Sequence, residues 1–314
     1  MNGRSALCIG IDAYPGNNRL SGCVNDANAW ADFFRRQGFE VSKLTDRKAT
    51  FEGILGEMRS LVSSASPGDV IAVHYSGHGT RVPDDNSEEI DAQDEALVPI
   101  DFDSNGLIVD DLIGPILDTA ADGVAINVFF DCCHSGGGTR LLVNRTASDE
   151  KVRFMPLTQE MLDAHRKAER RRQQEAKRTA KSRGAFAEIV NDAAMREVLF
   201  AACQPFEKSI ESGGNGRFTR AALQFLQGGT DGLTNSRFLQ EVTAAMGTSR
   251  QQTPQLSCPS NLQNAAFLGA VSTTAGTAAN TTSASSESFD TLIAEFEDAL
   301  KQFSSRARDL RKRS

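Results

Sequence analysis

Two stretches of the sequence decide the fold: VIAVHYSGHGT at residues 70–80 and AINVFFDCCHSG at residues 125–136. Each begins with a nearly continuous apolar run, at residues 70–75 and 125–130, and continues into polar and glycine residues. Apolar runs of this length are typical of strands that helices cover on both faces of a parallel sheet. We therefore expect both stretches to begin as buried strands.

The rest of the chain alternates further strand patterns with helical ones. Four more apolar runs are predicted as strands, at residues 6–11, 39–44, 96–100 and 198–203. Residues 25–37 place four apolar side chains on one helix face: Ala27, Trp30, Ala31 and Phe34. Gly38 follows this helix as a C-cap, and Thr50 precedes a second helix at residues 51–62 as its N-cap. This alternation predicts an α/β fold, a three-layer sandwich with a mostly parallel central sheet of about six strands.

Composition excludes several classes of protein. The chain has 314 residues, is 39% hydrophobic and 24% charged, and carries a formal net charge of −7, which argues against a chain built to coat nucleic acid. It has no stretch of about 18 apolar residues, as a membrane-spanning helix requires, and residues 1–12 do not resemble a secretory signal. We expect a cytoplasmic protein, monomeric, with neither a membrane nor a nucleic acid as partner.

The six cysteines are expected to be reduced in such a compartment. Their spacing contains no CxxC pair, which argues against a four-cysteine zinc site. Cys8 and Cys203 lie in apolar runs and are interpreted as small core residues. Cys132 and Cys133 differ from them because they directly follow a predicted strand.

Reactive side chains follow both of the deciding strands. His78 lies among glycines after the first, and Cys133 follows the second 55 residues later. Ligands of parallel sheets bind beyond the carboxyl ends of the strands, and an imidazole can accept the proton of a cysteine nucleophile. If the strands are neighbours, both side chains reach one crevice. A competing interpretation is a zinc site built from His74, His78, Cys133 and His134, although residues 74 and 78 do not share one helix face.

The motifs HYSGHGT at residues 74–80 and DCCHSG at residues 131–136 resemble the paired catalytic motifs of the metacaspases, including their prokaryotic and type I relatives in the caspase-like clan. Further segments are similar to the same family: residues 20–27, 94–101, 198–203 and 216–220. The resemblance covers about residues 5–270. It implies a caspase-like fold and the activity of a cysteine endopeptidase.

By this resemblance, Cys133 matches the nucleophile and His78 the general base and acid, whereas His74 is expected to be a strand residue packed against a helix. The N–H groups of Gly79 and Cys133 match the oxyanion hole. Four residues match the pocket for the residue before the scissile bond: Asp26, Asp131, Cys23 and Ser76. Two carboxylates in a recessed pocket favour a cationic side chain, so the expected substrates are proteins cleaved after Arg or Lys.

The resemblance also bears on metals. Asp94, Asp110 and Asp111 match three positions of the aspartate cluster through which many metacaspases are stimulated by calcium, and hard oxygen ligands suit that ion. A fourth carboxylate is expected just past the nucleophile, where residues 137–140 read Gly-Gly-Thr-Arg and the arginine opposes a cation. We expect no required cofactor, with calcium as the metal that the resemblance allows.

Five regions are predicted along the chain. They are a large-subunit-like catalytic region at 1–140, a basic insertion or activation linker at 141–190, a small-subunit-like region at 191–270, a flexible linker at 271–288 and an amphipathic helix at 289–314. Charge is distributed unevenly, with eleven acidic residues between Asp84 and Asp111 and nine basic residues among the eighteen at 166–183. The basic run interrupts the α/β pattern and is typical of an exposed insertion, helical or disordered.

The expected preference for basic residues, together with nine such residues in an insertion of the same chain, suggests self-cleavage. The hypothesis is that residues between about 140 and 183 block the crevice and that cutting them, by the chain itself or by an activating protease or regulator, releases activity. Alternatives are an uncut regulatory arm and a caspase-fold scaffold or adaptor that binds basic peptides without proteolysis. Nucleic-acid binding through residues 166–183 is a third, which the net charge and the lack of interleaved aromatics oppose.

Overall fold

The structure is a computed structural model that describes residues 2–83, 93–133, 150–183, 195–204, 207–247 and 252–270, with side chains up to residue 175 in the helix that ends at Arg183. All of these residues belong to one compact unit, Met1–Ser272. Several predictions lie outside the described residues: the linker at 271–288, the helix at 289–314, His134 and residues 137–140.

The elements are numbered along the chain. The strands are β1 (Arg4–Gly10), β2 (Glu40–Thr45), β3 (Val70–Ser76), β4 (Gly79–Pro83), β5 (Gln93–Leu97), β6 (Ile108–Val109), β7 (Ala125–Asp131), β8 (Lys151–Val152), β9 (Val198–Ala201), β10 (Ile210–Ser212), β11 (Asn215–Gly216) and β12 (Gln255–Ser257). The helices are α1 (Cys23–Arg36), α2 (Phe51–Ser64), α3 (Phe102–Asn105), α4 (Asp110–Asp118), α5 (Gln159–Arg183), α6 (Arg217–Leu226) and α7 (Asn235–Met246). Within the described part of the chain, every helix is too short or too polar to span a bilayer.

A six-stranded sheet in the order β12-β9-β7-β3-β1-β2 forms the middle layer. Its neighbouring strands are parallel except for β12, which runs antiparallel to β9. Alternate side chains of β1 enter opposite hydrophobic clusters, Leu7 and Ile9 on one face of the sheet and Ala6 and Cys8 on the other. Helices cover both faces, α2 and α4 on the first and α1, α6 and α7 on the second. The predicted α/β sandwich is confirmed.

One predicted strand belongs to a different sheet. The sequence predicts residues 96–100 as a strand of the main sheet, but β5 pairs antiparallel with β4 and β6 in a separate three-stranded sheet. The sixth central strand is β12, which is short, polar at Gln255 and Ser257, and only partly buried. A short apolar run indicates burial but does not specify which sheet receives the strand, and an edge strand such as β12 needs no apolar run.

Local signals that set the helix ends are confirmed. The Thr50 side chain accepts a hydrogen bond from the N–H of Gly53 at 3.0 Å and caps α2. Gly38 follows α1 with a φ of +79°, a left-handed conformation that suits glycine. The four apolar residues predicted on one face of α1 are all buried.

The basic run, for which the sequence leaves a helix and a disordered segment open, lies on α5. The expectation that it stands apart from the core is wrong for the first half of this helix. Met161, His165 and Ala168 are buried, and the guanidinium of Arg172 lies 4.3 Å from the centre of the Phe51 ring. The sequence conceals this packing because only single residues per turn touch the body of the protein.

Candidate active site

The carboxyl ends of β3 and β7 bring the two motifs together. The strands pair in parallel along their whole length, with Ser76 opposite Asp131. His78 lies two residues after Ser76, and Cys133 lies two residues after Asp131. Both residues are therefore at the same edge of the sheet. The two strands are therefore neighbours, as the sequence-based hypothesis required.

His78 is held from several sides. Its N–H donates to the Tyr14 hydroxyl at 3.1 Å, and its carbonyl accepts from the Tyr75 hydroxyl at 2.8 Å and from the N–H of Val98 at 3.1 Å. Its Nε2 lies 2.7 Å from the carbonyl oxygen of Asn18. Because a carbonyl can only accept, Nε2 carries the ring proton of the neutral imidazole and Nδ1 offers a lone pair.

The surroundings of His78 keep its ring neutral at physiological pH. Burial lowers the pKa of His78 to about 4, although the Asn18 carbonyl favours the charged ring, as does the nearby carbonyl of Arg153. The Nδ1 atom is buried and has no hydrogen-bond partner among the described residues. A neutral imidazole with a free ring nitrogen is the form that a general base requires.

Two backbone N–H groups converge on one carbonyl oxygen beside His78. Gly79 and Cys133, the two residues matched to an oxyanion hole, donate to the carbonyl of Arg153 at 3.0 and 3.3 Å. Donors aimed at one point in this way can stabilise the negative charge that develops on a reacting carbonyl. The Arg153 carbonyl therefore lies at the point where the two donors converge.

The sulfur of Cys133 is buried next to a second cysteine. Its Sγ donates to the carbonyl of Glu207 at 3.1 Å, and the Sγ of Cys203 lies 3.8 Å from the same oxygen. A hydrogen bond to Cys133, together with burial, raises the pKa of the Cys203 thiol well above its usual value. The interpretation of Cys203 as a core residue explains its burial but misses this contact with Cys133.

The side chain of Arg153 fills an acidic pocket. It is fully buried, and its Nη2 lies 2.6 Å from Oδ2 of Asp26 and 3.4 Å from Oε2 of Glu211. Its Nη1 lies 3.0 Å from Oδ1 of Asp131. Asp26 and Asp131 are the two carboxylates that the sequence predicted for a cation, whereas Glu211 was not predicted. Because the two terminal nitrogens bind different carboxylates, the arrangement suits a guanidinium.

The two remaining predicted pocket residues support these carboxylates. The Ser76 hydroxyl donates to Oδ2 of Asp26 at 2.9 Å, and the Cys23 thiol lies 3.7 Å from Oε2 of Glu211. Both side chains are fully buried. The structure therefore brings all four predicted pocket residues to the same place.

Gly216 forms a wall of the pocket where a larger residue would not fit. A Cβ atom at this position would collide with the Asp131 carboxylate and with the Arg153 guanidinium. The N–H of Gly216 also donates to the Asp26 carboxylate, at 3.1 Å from Oδ2. The glycine thus provides both the space and a hydrogen bond.

Three carboxylates around one guanidinium leave an excess of negative charge, and backbone groups offset it. Glu211 accepts hydrogen bonds from the N–H groups of Ser21 and Gly22, immediately before α1, at 2.8 and 3.1 Å. Asp131 accepts from the N–H of Thr219, in the first turn of α6, at 3.1 Å. Helix N-termini favour anions because their N–H groups are unpaired and their dipole is positive there.

The pocket is anionic at neutral pH. Burial raises the pKa of Asp26 to about 6, even though Arg153 acts in the opposite direction. Burial also acts on Asp131, but Arg153 and the hydroxyls of Thr219 and Ser209 outweigh it and hold the pKa of Asp131 below its usual value. Both carboxyls are therefore ionised at pH 7, with Asp26 the first to become neutral on acidification.

The chain on the N-terminal side of Arg153 lies in the site as an added strand. β8 pairs antiparallel with β10, with Val152 opposite Ile210. The N–H of Arg153 donates to the carbonyl of Ser209 at 2.9 Å, which extends this pairing up to the pocket. Peptides bound by strand addition make the same kind of backbone hydrogen bonds.

The chain on the C-terminal side of Arg153 is also fixed. Phe154 forms a parallel bridge with Gly79, and the N–H of Met155 donates to the Gly79 carbonyl at 3.0 Å. Met155 is buried in the hydrophobic cluster that also contains Ile54. The backbone is thus held on both sides of the Arg153 carbonyl.

The residues considered as metal ligands lie elsewhere. Asp94 is in β5, and Asp110 and Asp111 begin α4. The pairing of Ala96 with Val109 places all three at one end of the small sheet. Partial burial of its carboxyl and the charge of Asp111 raise the pKa of Asp110. Calcium binding by these residues stays a prediction.

Within the described residues, one group of three potential ligands has its atoms within 4.8 Å of one another: Asp12, Cys23 and Glu211. It contains neither His74 nor His78, so the competing zinc interpretation gains no support there. The His74 ring stacks on Trp30 of α1, with ring centres 5.5 Å apart. Burial lowers the pKa of His74 to about 3, as expected for a strand histidine packed against a helix.

Sequence reasoning missed Arg153, Glu211 and Cys203. Arg153 is one of only two basic residues in the short stretch KVRF, which is far less conspicuous than the dense basic run that follows it. Glu211 precedes the glycine-rich stretch SGGNG, which could have indicated a turn at a site. Nothing in the sequence pairs Cys203 with Cys133, because their contact depends on β7 and β9 being neighbours.

Comparison with known proteins identifies similar domains. Residues 4–142 match the family model described as metacaspase, peptidase C14 domain. Metacaspase-1 of Eremothecium gossypii is 40% identical over 149 residues, which are 44% of this chain and 33% of that protein. Metacaspase-1 of Schizosaccharomyces pombe is 36% identical over 149 residues, with 44% of this chain and 35% of that protein covered. The chain therefore matches about a third of the length of these curated relatives.

A solved structure covers more of the chain. The crystal structure of a protein from Geobacter sulfurreducens superimposes on 86% of this chain and 99% of that chain with a TM-score of 0.64, at 24% sequence identity. At this identity the likeness shows that the fold is shared, including the region after residue 142.

Proposed function

We propose that the protein is a cysteine endopeptidase that cleaves proteins after Arg or Lys, because residues 4–142 match the family model of the metacaspase, peptidase C14 domain. Cys133 serves as the nucleophile and His78 as the general base and acid. The acidic pocket of Asp26, Asp131 and Glu211 receives the cationic side chain, with Ser76 and Cys23 in its walls.

One observation carries this proposal: the protein's own Arg153 lies in the site in the pose of a substrate. Its guanidinium pairs with three buried carboxylates while its carbonyl oxygen accepts from Gly79 and Cys133. A pocket that holds a cation therefore opens beside a pair of oxyanion donors. An Asp side chain in this pocket would face three like charges without a partner, which disfavours cleavage after Asp.

The residues act in two stages. His78 Nδ1 takes the proton of the Cys133 thiol, and the sulfur adds to the substrate carbonyl carbon while the N–H groups of Gly79 and Cys133 stabilise the oxygen. The C–N bond then breaks, and the leaving amine takes the proton from His78. A water molecule, deprotonated by His78, hydrolyses the thioester and restores Cys133.

The proposal includes latency. The acidic pocket and the edge of β10 are filled by residues 151–153, so a substrate can enter only after these residues leave. We expect cleavage in the linker, by the chain or by an activating protease or regulator, to allow this. The enzyme is proposed to act as a cytoplasmic monomer on protein substrates, without membrane or nucleic acid. It is proposed to require no cofactor, with calcium at Asp94, Asp110 and Asp111 as an optional ligand.

Fluorogenic peptides ending in Arg, Lys or Asp test the proposal directly. The wild type should hydrolyse the Arg and Lys peptides and leave the Asp peptide intact. Cys133→Ala should abolish hydrolysis, whereas Cys258→Ala, at a cysteine outside the site, should retain it. Hydrolysis that persists in Cys133→Ala would contradict the proposal.

The rival function is a caspase-fold adaptor that binds basic peptides without cutting them. It shares the acidic pocket but has no use for a neutral, buried imidazole at the edge of the sheet that also carries Cys133. Stable binding of an Arg peptide by the wild type, with no turnover before or after the linker is cut, would favour the adaptor.

A further inference from the structure

The geometry points to the peptide bond between Arg153 and Phe154 as the site at which the chain cuts itself, within the same molecule. The basic run at residues 166–183 is then not the processing site. This inference rests on the proposed peptidase activity and adds the bond on which that activity first acts.

The first argument is the position of the bond. The carbonyl that accepts from Gly79 and Cys133 belongs to the peptide bond between Arg153 and Phe154. The same residue places its side chain in the acidic pocket. A bond is poised for cleavage when its carbonyl and the side chain before it are both bound, and Arg153 meets both conditions.

The second argument is register. Val152 pairs with Ile210 on one side of the bond, and Met155 is buried in the core on the other. A shift by one residue would withdraw Met155 from the core and present Val152 or Phe154 to the carboxylates. Neither apolar side chain can pair with a buried charge. The segment is therefore fixed with Arg153 at the pocket.

The third argument excludes the basic run. Residues 166–183 lie on α5, where backbone N–H groups form helical hydrogen bonds and are not free to pair with β10. The first half of α5 is also docked. Nδ1 of His165 accepts from the N–H of Leu107 at 3.2 Å, and Arg172 donates to the carbonyl of Asn105 at 2.9 Å. These arginines could enter the cleft only if the helix unfolded.

The chemical step balances with water as co-reactant. The Cys133 thiol, which now donates to Glu207, transfers its proton to His78, and the sulfur adds to the carbonyl carbon of Arg153. The C–N bond to Phe154 breaks and its nitrogen takes the proton from His78. Water then hydrolyses the thioester, which leaves one chain ending in the Arg153 carboxylate and another beginning at the Phe154 amine.

The products separate unequally. The new N-terminus at Phe154 stays attached, because Met155 and the docked half of α5 anchor it. The new carboxylate of Arg153 adds a negative charge beside a pocket that already holds an excess of carboxylates, which favours its departure. Its exit frees the edge of β10 and the pocket for a substrate strand.

Intact-protein mass spectrometry of the incubated full-length chain tests the inference. The wild type should give two fragments that meet between Arg153 and Phe154, and the second should begin Phe-Met-Pro-Leu-Thr. Cys133→Ala should stay whole. A first-order rate constant that is unchanged over a hundredfold dilution would identify a cut within one molecule. A rate constant that rises in proportion to the protein concentration would instead show that one molecule cuts another, and would overturn the intramolecular part of the inference.

Variants separate this bond from the basic run. Arg153→Gln should prevent the cut, and Arg170→Gln, at an exposed arginine of α5, should leave its rate unchanged. Because Arg153→Gln removes a buried cation, Arg153→Lys provides a second variant that keeps the charge and should be cut at the same bond, more slowly. A cut within residues 166–183, or an intact wild type that hydrolyses Arg peptides, would overturn the inference while the proposed function stands. A wild type that neither cuts itself nor hydrolyses Arg peptides, even after its linker has been cut by an added protease, would overturn the proposed function.

Discussion

Two groups of acidic residues in this protein differ in their burial and in what compensates their charge. Asp26, Asp131 and Glu211 are buried around a guanidinium, whereas Asp110 and Asp111 are exposed at the start of α4. In the first group, a cation and the N-termini of two helices make burial tolerable. In the second, adjacent charges repel, and solvent reduces the cost. The sequence resemblance matched Asp26 and Asp131 to a pocket for a cationic side chain, and Asp110 and Asp111 to a calcium site. In the first group the cation is a side chain of the protein itself, Arg153.

The contrast teaches that the number of like charges along the chain does not locate a site. The eleven acidic residues between Asp84 and Asp111 form the densest acidic run, yet the pocket collects its three carboxylates from α1, β7 and β10. A site is recognised by what compensates the charge. Four predictions test this difference, from the largest expected effect to the smallest.

Neutralising a pocket carboxylate should have the largest effect on activity. Asp131→Asn removes the partner of one terminal guanidinium nitrogen, and truncating a buried charge pair costs about 2–5 kcal/mol. The kcat/KM for an Arg peptide should therefore fall by roughly 30- to 4,000-fold. The matched change in the other group, Asp111→Asn, should leave kcat/KM within about twofold. Equal losses in the two variants would contradict the distinction, provided that circular dichroism shows both to be folded.

Removing the buried cation should have the next largest effect, on stability. In a Cys133→Ala background, which prevents cleavage, Arg153→Gln leaves the pocket carboxylates without their partner. The free energy of unfolding should fall by about 3–5 kcal/mol. Arg172→Gln removes the cation–π contact of a half-buried arginine with Phe51 and its hydrogen bond to the Asn105 carbonyl, and should cost about 1–2 kcal/mol. Urea denaturation of the three proteins measures both values, and similar losses from the two arginines would show that the pocket is not the special environment inferred here.

Much of this architecture is predictable from local sequence. The apolar runs at 70–75 and 125–130 specify buried strands, and Thr50 and Gly38 mark helix ends by their own chemistry. The placement of His78 and Cys133 at the same edge of the sheet follows from two parallel strands once these are neighbours. For Asp26 and Asp131, the family resemblance supplied the expectation that composition could not.

The remaining features depend on the path of the chain in three dimensions. Arg153 enters the pocket because β8 pairs with β10, and β10 itself carries Glu211. Both strands are short and lack an apolar run, so the sequence does not predict their pairing. The segment KVRF has no unusual composition, so its role depends on register alone. Sequence reasoning therefore located the pocket and missed its occupant.

Acidification should separate the pocket from the base. Above about pH 7 the rate of the internal cut should be nearly constant, because Asp26 is mostly ionised and His78 is neutral. Burial raises the pKa of Asp26 to about 6, so its charge is lost first on acidification, and the rate should fall near that pH. Burial lowers the pKa of His78 to about 4, so the second fall should occur near pH 4, where the base becomes protonated. Asp26→Asn should remove the upper step and keep the lower one.

The dependence of the cleavage rate on pH is measured between pH 3.5 and 8 by mass spectrometry of samples quenched at successive times. A single step near pH 6.5, the usual pKa of an exposed histidine, would show that the ring is not buried when it reacts. Asp32→Asn, at an exposed aspartate of α1, serves as the matched control and should keep both steps.

Metal chelation should have the smallest effect. Calcium takes about six to eight oxygen ligands, and Asp94, Asp110 and Asp111 supply three carboxylates from one end of the small sheet. Nothing in the proposed mechanism depends on that end of the sheet, since the pocket already has its cation in Arg153. The rate of the internal cut should therefore change by less than about twofold between chelator and saturating calcium. Larger stimulation that disappears in Asp111→Asn, but persists in Asp103→Asn, would mean that the exposed group also recruits a cation. The two acidic groups would then differ only in where that cation comes from.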